Sequence, residues 1–534
     1  MEKAQEKNIF INQIGYLPED KKIAFLTEAA GNQNCTFELC EANSKKIVFS
    51  GKIRAKNDDG SKFVDSAVGE EIFTADFSDF SQEGQFFIRI GEQESFPFEI
   101  KSQVYKNLYY SALNYFNLSR CGQNFCHTAD AEIYGTNETK NVQGGWHDAG
   151  DYGRYIVPTA KTVMDLLLAY DSSKEVFTDF DILKEVRFAL EWMLKMQRED
   201  GAVYHKVSCY HFCAFINPED EKDKLVISPI STAATADFAG SLAFASKFYQ
   251  KEDKEFAQKL LDAALKAQEY LNHHDDEIFI NPPEITTGSY GDRNVSDERY
   301  FALCAIWDAT ENPEYLKKAL EIRENEISLS QKKENETEKK HFWHEGFGWG
   351  LMAGFGTEIL INNSQKIGDE ETVQKLKDAI IKNADASVKT AQKSAFLYAS
   401  KFYGWGSNGA VCDQAHLLML AFKITGKTEY KTIAKAQIDY VLGCNPLNYC
   451  YVTCCGSKSP EHPHHRPSGA AKKVMPGMLV GGPCAGLNDE YARTHLQNLP
   501  ALKCYADAEP SYSTNEIAIY WNSAFVYVLS QIGL

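Results

Sequence analysis

At 534 residues the chain has room for two domains, one of them large, and its 44% hydrophobic, 12% aromatic and 24% charged residues mark a folded globular protein, not a disordered or collagenous one. Its 74 acidic and 56 basic residues leave a net charge of −18, a field that repels phosphate backbones and anionic lipid surfaces, so no nucleic-acid or membrane partner is expected. There is no run of about 18 apolar residues, which excludes a transmembrane helix.

The opening MEKAQEKNIFINQIGYL lacks the apolar core of a signal peptide. A cytoplasmic location is expected as the sequence stands, or secretion if a leader has been removed. The 14 cysteines are scattered along the chain and read as reduced thiols, Cys121 and Cys126 excepted.

From residue 8 to about 100 the segments IFINQIGYL, KIAFLTEA, CTFELCEA, KIVFSGKI, FTADFSDF and QFFIRIGEQESFPFEI alternate or run apolar between turn residues, which predicts a small β-sandwich over 1–101. Beyond it the period turns helical. Helices are predicted near 105–119, 154–171, 181–198, 231–249, 253–272, 296–309, 312–326, 347–359, 369–392, 408–425, 427–442 and 514–532, with strand signals nearly absent. A dozen helices without a fixed repeat suggest a closed ring of helical hairpins over 102–534. Long loops at 121–153, 200–230, 275–295 and 443–512 are where chemistry is expected.

In GGWHDAGDYGRY, Asp148 and Asp151 stand three residues apart in a Gly-bounded turn. Such a pair can aim two carboxylates into one cleft and tune one as a general base, or it can be an Asx-turn and N-cap pair. In CYADAEPSYSTNEIAIYWNSA, Glu516 is read just inside the last helix, where a capping role competes with a catalytic one. Taken together, two such places fit glycoside hydrolysis by inversion, which needs an ionised base and a protonated acid about 6.5–9.5 Å apart.

GGWHDAGDYGRY, YVTCCGSKSPEHPHHR and YADAEPSYSTNEIAIYWNSA resemble, in order and spacing, the three hallmark segments of glycoside hydrolase family 9, the inverting cellulases. FINQIGYLPEDKKIAFL is similar to the opening of the immunoglobulin-like domain that precedes many of its catalytic modules. The resemblance spans nearly the whole chain. It implies a mainly α fold, an (α/α)6-barrel catalytic domain preceded by a small immunoglobulin-like β-sandwich. Asp151 would be the base that activates water, Asp148 would help hold that water, and Glu516 would be the acid, with Asp507 a neighbour able to raise its pKa. His464 and Arg466 would hydrogen-bond sugar hydroxyls; without the resemblance, His462, His464 and His465 would equally suggest a metal site. Cys450, Cys454 and Cys455 depart from the family pattern and put the local loop shape in doubt.

Trp343, Trp349, Trp405 and Tyr512 lie in or beside loops where aromatic rings could stack on sugar faces or simply fill the core; Trp405 has the best family precedent, and Trp146 reads as buried beside the catalytic turn. Cys121, Cys126, His127 and His147 are a Cys2His2 set whose spacing matches no zinc finger, but the immunoglobulin-bearing subgroup of the family implies a structural zinc there. Calcium is also common in the family, and Asp292, Asp297 and Glu298 offer oxygen ligands or cap a helix start. Cys209 and Cys213 around His211 are too sparse to assign.

The expected activity is endo-acting hydrolysis of β-1,4-glucosidic bonds in cellulose, cellodextrins or mixed-linkage β-glucan by a monomer. The alternatives are an exo-acting cellodextrinase or β-glucosidase, an exo-β-glucosaminidase, a noncatalytic glycan-binding protein, and a lyase with a helical toroid.

Overall fold

The computed structural model describes residues 8–32, 34–57, 61–122, 130–176, 178–333 and 343–533. These fall into two compact units. The first takes the described residues of 1–115, 175–179 and 384–534, the second those of 116–174 and 180–383.

The N-terminal strands of the first unit follow one hydrogen-bonded path: Ile9–Phe10, Ile23–Thr27, Glu70–Asp76, Ile47–Arg54, Thr36–Glu41, Gly84–Ile90, Phe98–Ile100 and Gly15–Tyr16. Every step is antiparallel except the last. The period of two read from the sequence is the packing rule: Ala24 and Leu26, Phe37 and Leu39, Phe73 and Ala75, Phe86, Ile88 and Ile90 all enter one core. Phe37 lies opposite Gly51, where a Cβ would come within 2.5 Å of its ring, so the glycine makes room for the aromatic.

The FINQ segment ties this sandwich to the C-terminal helices of the same unit. Buried Asn12 donates to Asp439 Oδ1 at 2.7 Å, Gln13 Nε2 donates to the Asn448 carbonyl at 2.9 Å, and the Gln13 carbonyl oxygen Oε1 accepts from the N–H groups of Ser457 and Lys458. Helix Ser407–Thr425 packs against both Thr428–Val441 and Ile519–Ile532.

In the second unit Thr232–Tyr249, rich in Ala and buried along nearly its whole length, packs against Ile156–Ser173, Lys254–His273 and Ser296–Thr310. Side chains of Asp181, Ser231 and Asp253 cap the helices that follow them. Against the expectation of almost no strands, a five-stranded sheet runs in the order Thr139–Asn141, Asp130–Ile133, Leu225–Ile227, Lys206–Cys209, Arg154–Tyr155. Strands of two to four residues carry too little alternation to register as a period. Residues 347–352 precede their helix, which starts at Ala353, and the last helix starts at Ile519, not near 514. Among the described residues no helix is long and apolar enough to cross a membrane.

Candidate active site

In the second unit the Asp148–Asp151 turn is shaped by its flanks. Gly145 takes a left-handed φ of 76°, and a Cβ there would lie 2.6 Å from the Trp192 ring, so only glycine fits. Trp146 is buried as expected, its indole donating to Glu185 Oε1 at 2.8 Å, and Arg120 grips the same carboxylate with two bonds of 2.9 and 2.8 Å. The Asp148 N–H donates to the Gly153 carbonyl at 2.9 Å, closing the turn, and Asp151 Oδ2 accepts from the Gly153 N–H at 3.0 Å. That second bond is the Asx-turn of the bland reading. The N-cap part fails, because the next helix is capped at Tyr155 without any side chain.

Asp148 is 1% exposed. Its Oδ2 accepts a 2.5 Å bond from the Tyr290 hydroxyl, while Oδ1 has no hydrogen-bond partner among the described residues. Burial pushes its carboxyl well above the ordinary carboxylate range; the Tyr290 bond works against that rise and the charge of Asp151 adds to it. Tyr290 itself packs edge-on against Tyr155 and Trp349 and holds a left-handed φ of 48°. Nothing in the sequence singled it out, since an aromatic in a Gly-Ser-Tyr-Gly loop has no periodic or charge signature.

In the first unit Glu516 lies on extended backbone between the short helix Tyr512–Asn515 and Ile519–Ile532. It is bridged in parallel to His464, and its carbonyl accepts from the Gly481 N–H at 2.7 Å. The expected place inside a first helical turn is corrected, and with it the capping role, because the helix is capped at Ala518. The half-buried Glu516 side chain thus projects from a paired strand-like residue. Asp507 is occupied as a brace: its oxygens accept from the N–H groups of Glu461 and His462 and from Asn515 Nδ2. His464 Nδ1 donates to the Glu509 carbonyl at 2.6 Å, and Arg466 is buried at the start of helix Arg466–Ala471.

Trp405, 42% exposed, and Tyr512 sit 5.1 Å apart, with His464 5.9 Å from Tyr512, an aromatic surface of the kind that sugar faces stack on. Of the two roles open to Trp343, the packing one fits: half-buried, it lies edge-on against buried Tyr300 and donates to Glu345. Cys450 is buried, and Cys454 takes a left-handed φ of 58°, so the departures from the family pattern do fall in an unusual turn.

For zinc, Cys121 and His147 lie on neighbouring backbone segments joined by the Arg120–Trp146 bridge, and both are buried. Cys126 and His127 lie outside the described residues. For calcium, Asp297 and Glu298 are buried and are joined by Asp237, which the sequence reading missed although an acid in an Ala-rich apolar helix was a visible signal. No oxygen of Asp237 or Glu298 has a hydrogen-bond partner among the described residues. Burial, with the neighbouring carboxylates, raises both groups well above their usual range and Asp297 to about 6. Asp292 accepts from the Asn294 N–H, and its charge adds to the rise at all three of these carboxyl groups. Among the described residues no three His, Cys, Asp or Glu side chains stand arranged around a metal position, the histidines at 462, 464 and 465 included.

The family model described as Glycosyl hydrolase family 9 matches residues 105–529, and that of the Cellulase N-terminal ig-like domain matches 4–95. A cellodextrinase of Butyrivibrio fibrisolvens is 34% identical over 98% of this chain and 100% of its own length. A single-mutant thermostable endoglucanase from Alicyclobacillus acidocaldarius superposes with a TM-score of 0.89 at 32% identity, covering 99% of each chain. A Zn-binding triple mutant of the family 9 endoglucanase J30 matches with a TM-score of 0.88 at 27% identity, covering 97% of this chain and 99% of that one. The fold class is accordingly the one expected, a mainly α (α/α)6 barrel preceded by an immunoglobulin-like β-sandwich.

Proposed function

Because the chain belongs to glycosyl hydrolase family 9 and is a glycoside hydrolase of β-1,4-glucan, we propose that it cleaves its substrate by inversion, with Asp151 as the general base, Asp148 as co-holder of the attacking water and Glu516 as the general acid. The observation that carries this reading is the closed turn in which one hydrogen-bonded loop presents Asp148, already oriented by Tyr290, three residues before Asp151. Water attacking the anomeric carbon gives its proton to Asp151 while Glu516 protonates the leaving glycosidic oxygen, so charge is conserved through the single displacement. His464 and Arg466 bind sugar hydroxyls, Trp405 and Tyr512 stack on pyranose faces, and Asp507 serves Glu516 by bracing its segment. On this reading the sandwich occupies 1–101 and the catalytic domain 102–534.

Endo-action on cellulose, cellodextrins or mixed-linkage β-glucan is the leading form, supported by the endoglucanase superposition; the end-to-end match to a cellodextrinase favours terminal action as the second. Cleavage of cellohexaose, followed over the first few per cent of turnover, separates them. Mixed internal products with fresh α-anomers support the endo reading, stepwise loss of glucose or cellobiose from one end supports the second, and fresh β-anomers overturn inversion.

The reading includes a structural zinc held by Cys121, Cys126, His127 and His147, supported by the Arg120–Trp146 bridge that sets Cys121 and His147 on adjoining segments. A closed Cys2His2 set would stiffen the approach to Asp148 and take no part in bond cleavage. Calcium gains no such support, because Asp237, Asp297 and Glu298, though all buried, do not stand around a common metal position. Metal analysis of the purified chain finding less than about half an equivalent of zinc would reject the closed site.

A further inference from the structure

Lys206 is fully buried at the first position of strand Lys206–Cys209, directly opposite Tyr155, four residues past Asp151. Burying an ammonium is costly, and an apolar side chain of the same length would avoid the cost, so what the ammonium holds is informative. Its three N–H donors meet three acceptors, the Thr287 carbonyl at 3.3 Å, Thr287 Oγ1 at 3.0 Å and the Gly288 carbonyl at 2.5 Å. The rings of Tyr155 and Phe279 lie 5.4 and 5.9 Å from Nζ and complete its surroundings. Burial lowers the ammonium to about 7, and the nearby Asp151 carboxylate favours its charged form.

The next carbonyl along, that of Ser289, accepts from His205 Nε2 at 2.8 Å. Three successive carbonyls, 287 to 289, are thus fixed by two adjacent residues, His205 just before the strand and Lys206 at its start, and the residue that follows is Tyr290. A tyrosine held at φ 48° stores backbone strain that only a well-fixed neighbourhood sustains. Gly288 shows how close the packing is, since a Cβ there would lie 3.0 Å from the Tyr155 hydroxyl.

We propose that Lys206 is a positioning residue for hydrolysis, pinning the 287–288 carbonyls so that the strained Tyr290 delivers its hydroxyl to Asp148. The inference rests on the reading of the Asp148–Asp151 turn as the water-activating side. Lys206 acts through Tyr290, and it is the loop, not the substrate, that it touches.

The test is a double-mutant cycle in the full chain, with kcat and KM measured on cellohexaose for Lys206→Met, Tyr290→Phe and the pair. Lys206→Met is expected to lower kcat by about tenfold or more with KM within about twofold, and the double variant to lose no more than Tyr290→Phe alone. Unchanged kcat in a folded Lys206→Met, or losses that multiply in the pair, would overturn the inference. Thr287→Val, which removes one acceptor and leaves the lysine, covers the case in which Lys206→Met does not fold. It is expected to lower kcat by a smaller factor that vanishes in the Tyr290→Phe background, and wild-type kcat in Thr287→Val would overturn the inference as well. Asp151→Asn runs alongside: full activity there sinks the underlying reading, whereas an inactive Asp151→Asn with an unaffected Lys206→Met sinks only the role of the lysine.

Discussion

The turn carrying Asp148 and Asp151 and the segment carrying Glu516 hold their carboxyl groups by different means. The turn is a backbone device: Gly145 admits the bend, the Asp148–Gly153 hydrogen bond closes it, and the carboxyl groups are nearly excluded from water, at 1% and 7% exposure. The Glu516 segment is braced by side chains. Buried Asn515 donates to the His462 carbonyl and to Asp507, and accepts from the Tyr505 hydroxyl, while Asp489 accepts from the Ser513 N–H and the Ser511 hydroxyl. A base that works on one water profits from a rigid, dry pocket, and an acid that must meet a leaving sugar profits from a half-open seat beside exposed rings such as Trp405. The two kinds of support should therefore fail differently.

The largest expected effect separates the two chemical roles. Asp151→Asn and Glu516→Gln should each lower kcat on cellohexaose by about 10²–10⁴-fold, the usual worth of a general base or acid. On an aryl β-cellobioside with an activated phenol, which leaves without a proton, Glu516→Gln should recover most of its loss and Asp151→Asn should recover none. Equal recovery by both would erase the assigned difference between the turn and the segment.

Next comes the brace. Asn515→Ala leaves a buried Tyr505 hydroxyl without its partner, takes the donor from the His462 carbonyl and removes one of two donors from Asp507 Oδ1, and should cost about 2–3 kcal/mol in denaturant unfolding. It should also lower kcat through Glu516 while leaving chemistry at the Asp148 turn intact. Wild-type stability in this variant would mean the segment is held by its backbone pairing and not by this brace.

How much of this was legible in the sequence follows the same division. Helices such as Thr232–Tyr249, Lys254–His273 and Ser296–Thr310 were readable to within a residue or two because their periodicity and caps are local properties. Asp148, Asp151 and Glu516 stand out as candidates through local spacing and resemblance. The extended backbone at Glu516 was hidden because Ser-Thr-Asn-Glu before an apolar run reads as a helix start, and only pairing with His464 and Gly481 overrides it. Lys206, Tyr290 and Asp237 draw their meaning from partners 51 to 142 residues away, from the Lys206–Tyr155 pairing to the Tyr290–Asp148 bond. No window of neighbouring residues contains that information.

The smallest expected effect is one both regions share, since each contains a histidine that burial keeps neutral. His205 donates from Nε2 to the Ser289 carbonyl and accepts at Nδ1 from Ser231, and His465 pairs with Ser468; burial lowers both to about 3, aided by Lys206 in the first case and by His464 and Arg466 in the second. An unfolded chain protonates histidine near pH 6.5, so below that pH it binds protons the folded chain refuses. The stability is present in full above about 6.5 and is lost as pH falls toward 3, about 2 kcal/mol from each histidine by pH 5. Urea unfolding at pH 7 and pH 5 should show a smaller difference in His205→Gln and in His465→Gln than in the wild type. A pH dependence unchanged in both would show that the folded protein tolerates the charged rings. Loss of the effect in only one variant would locate the acid-sensitive region, His205 marking the loop that carries Tyr290 and His465 the strand beside Glu516.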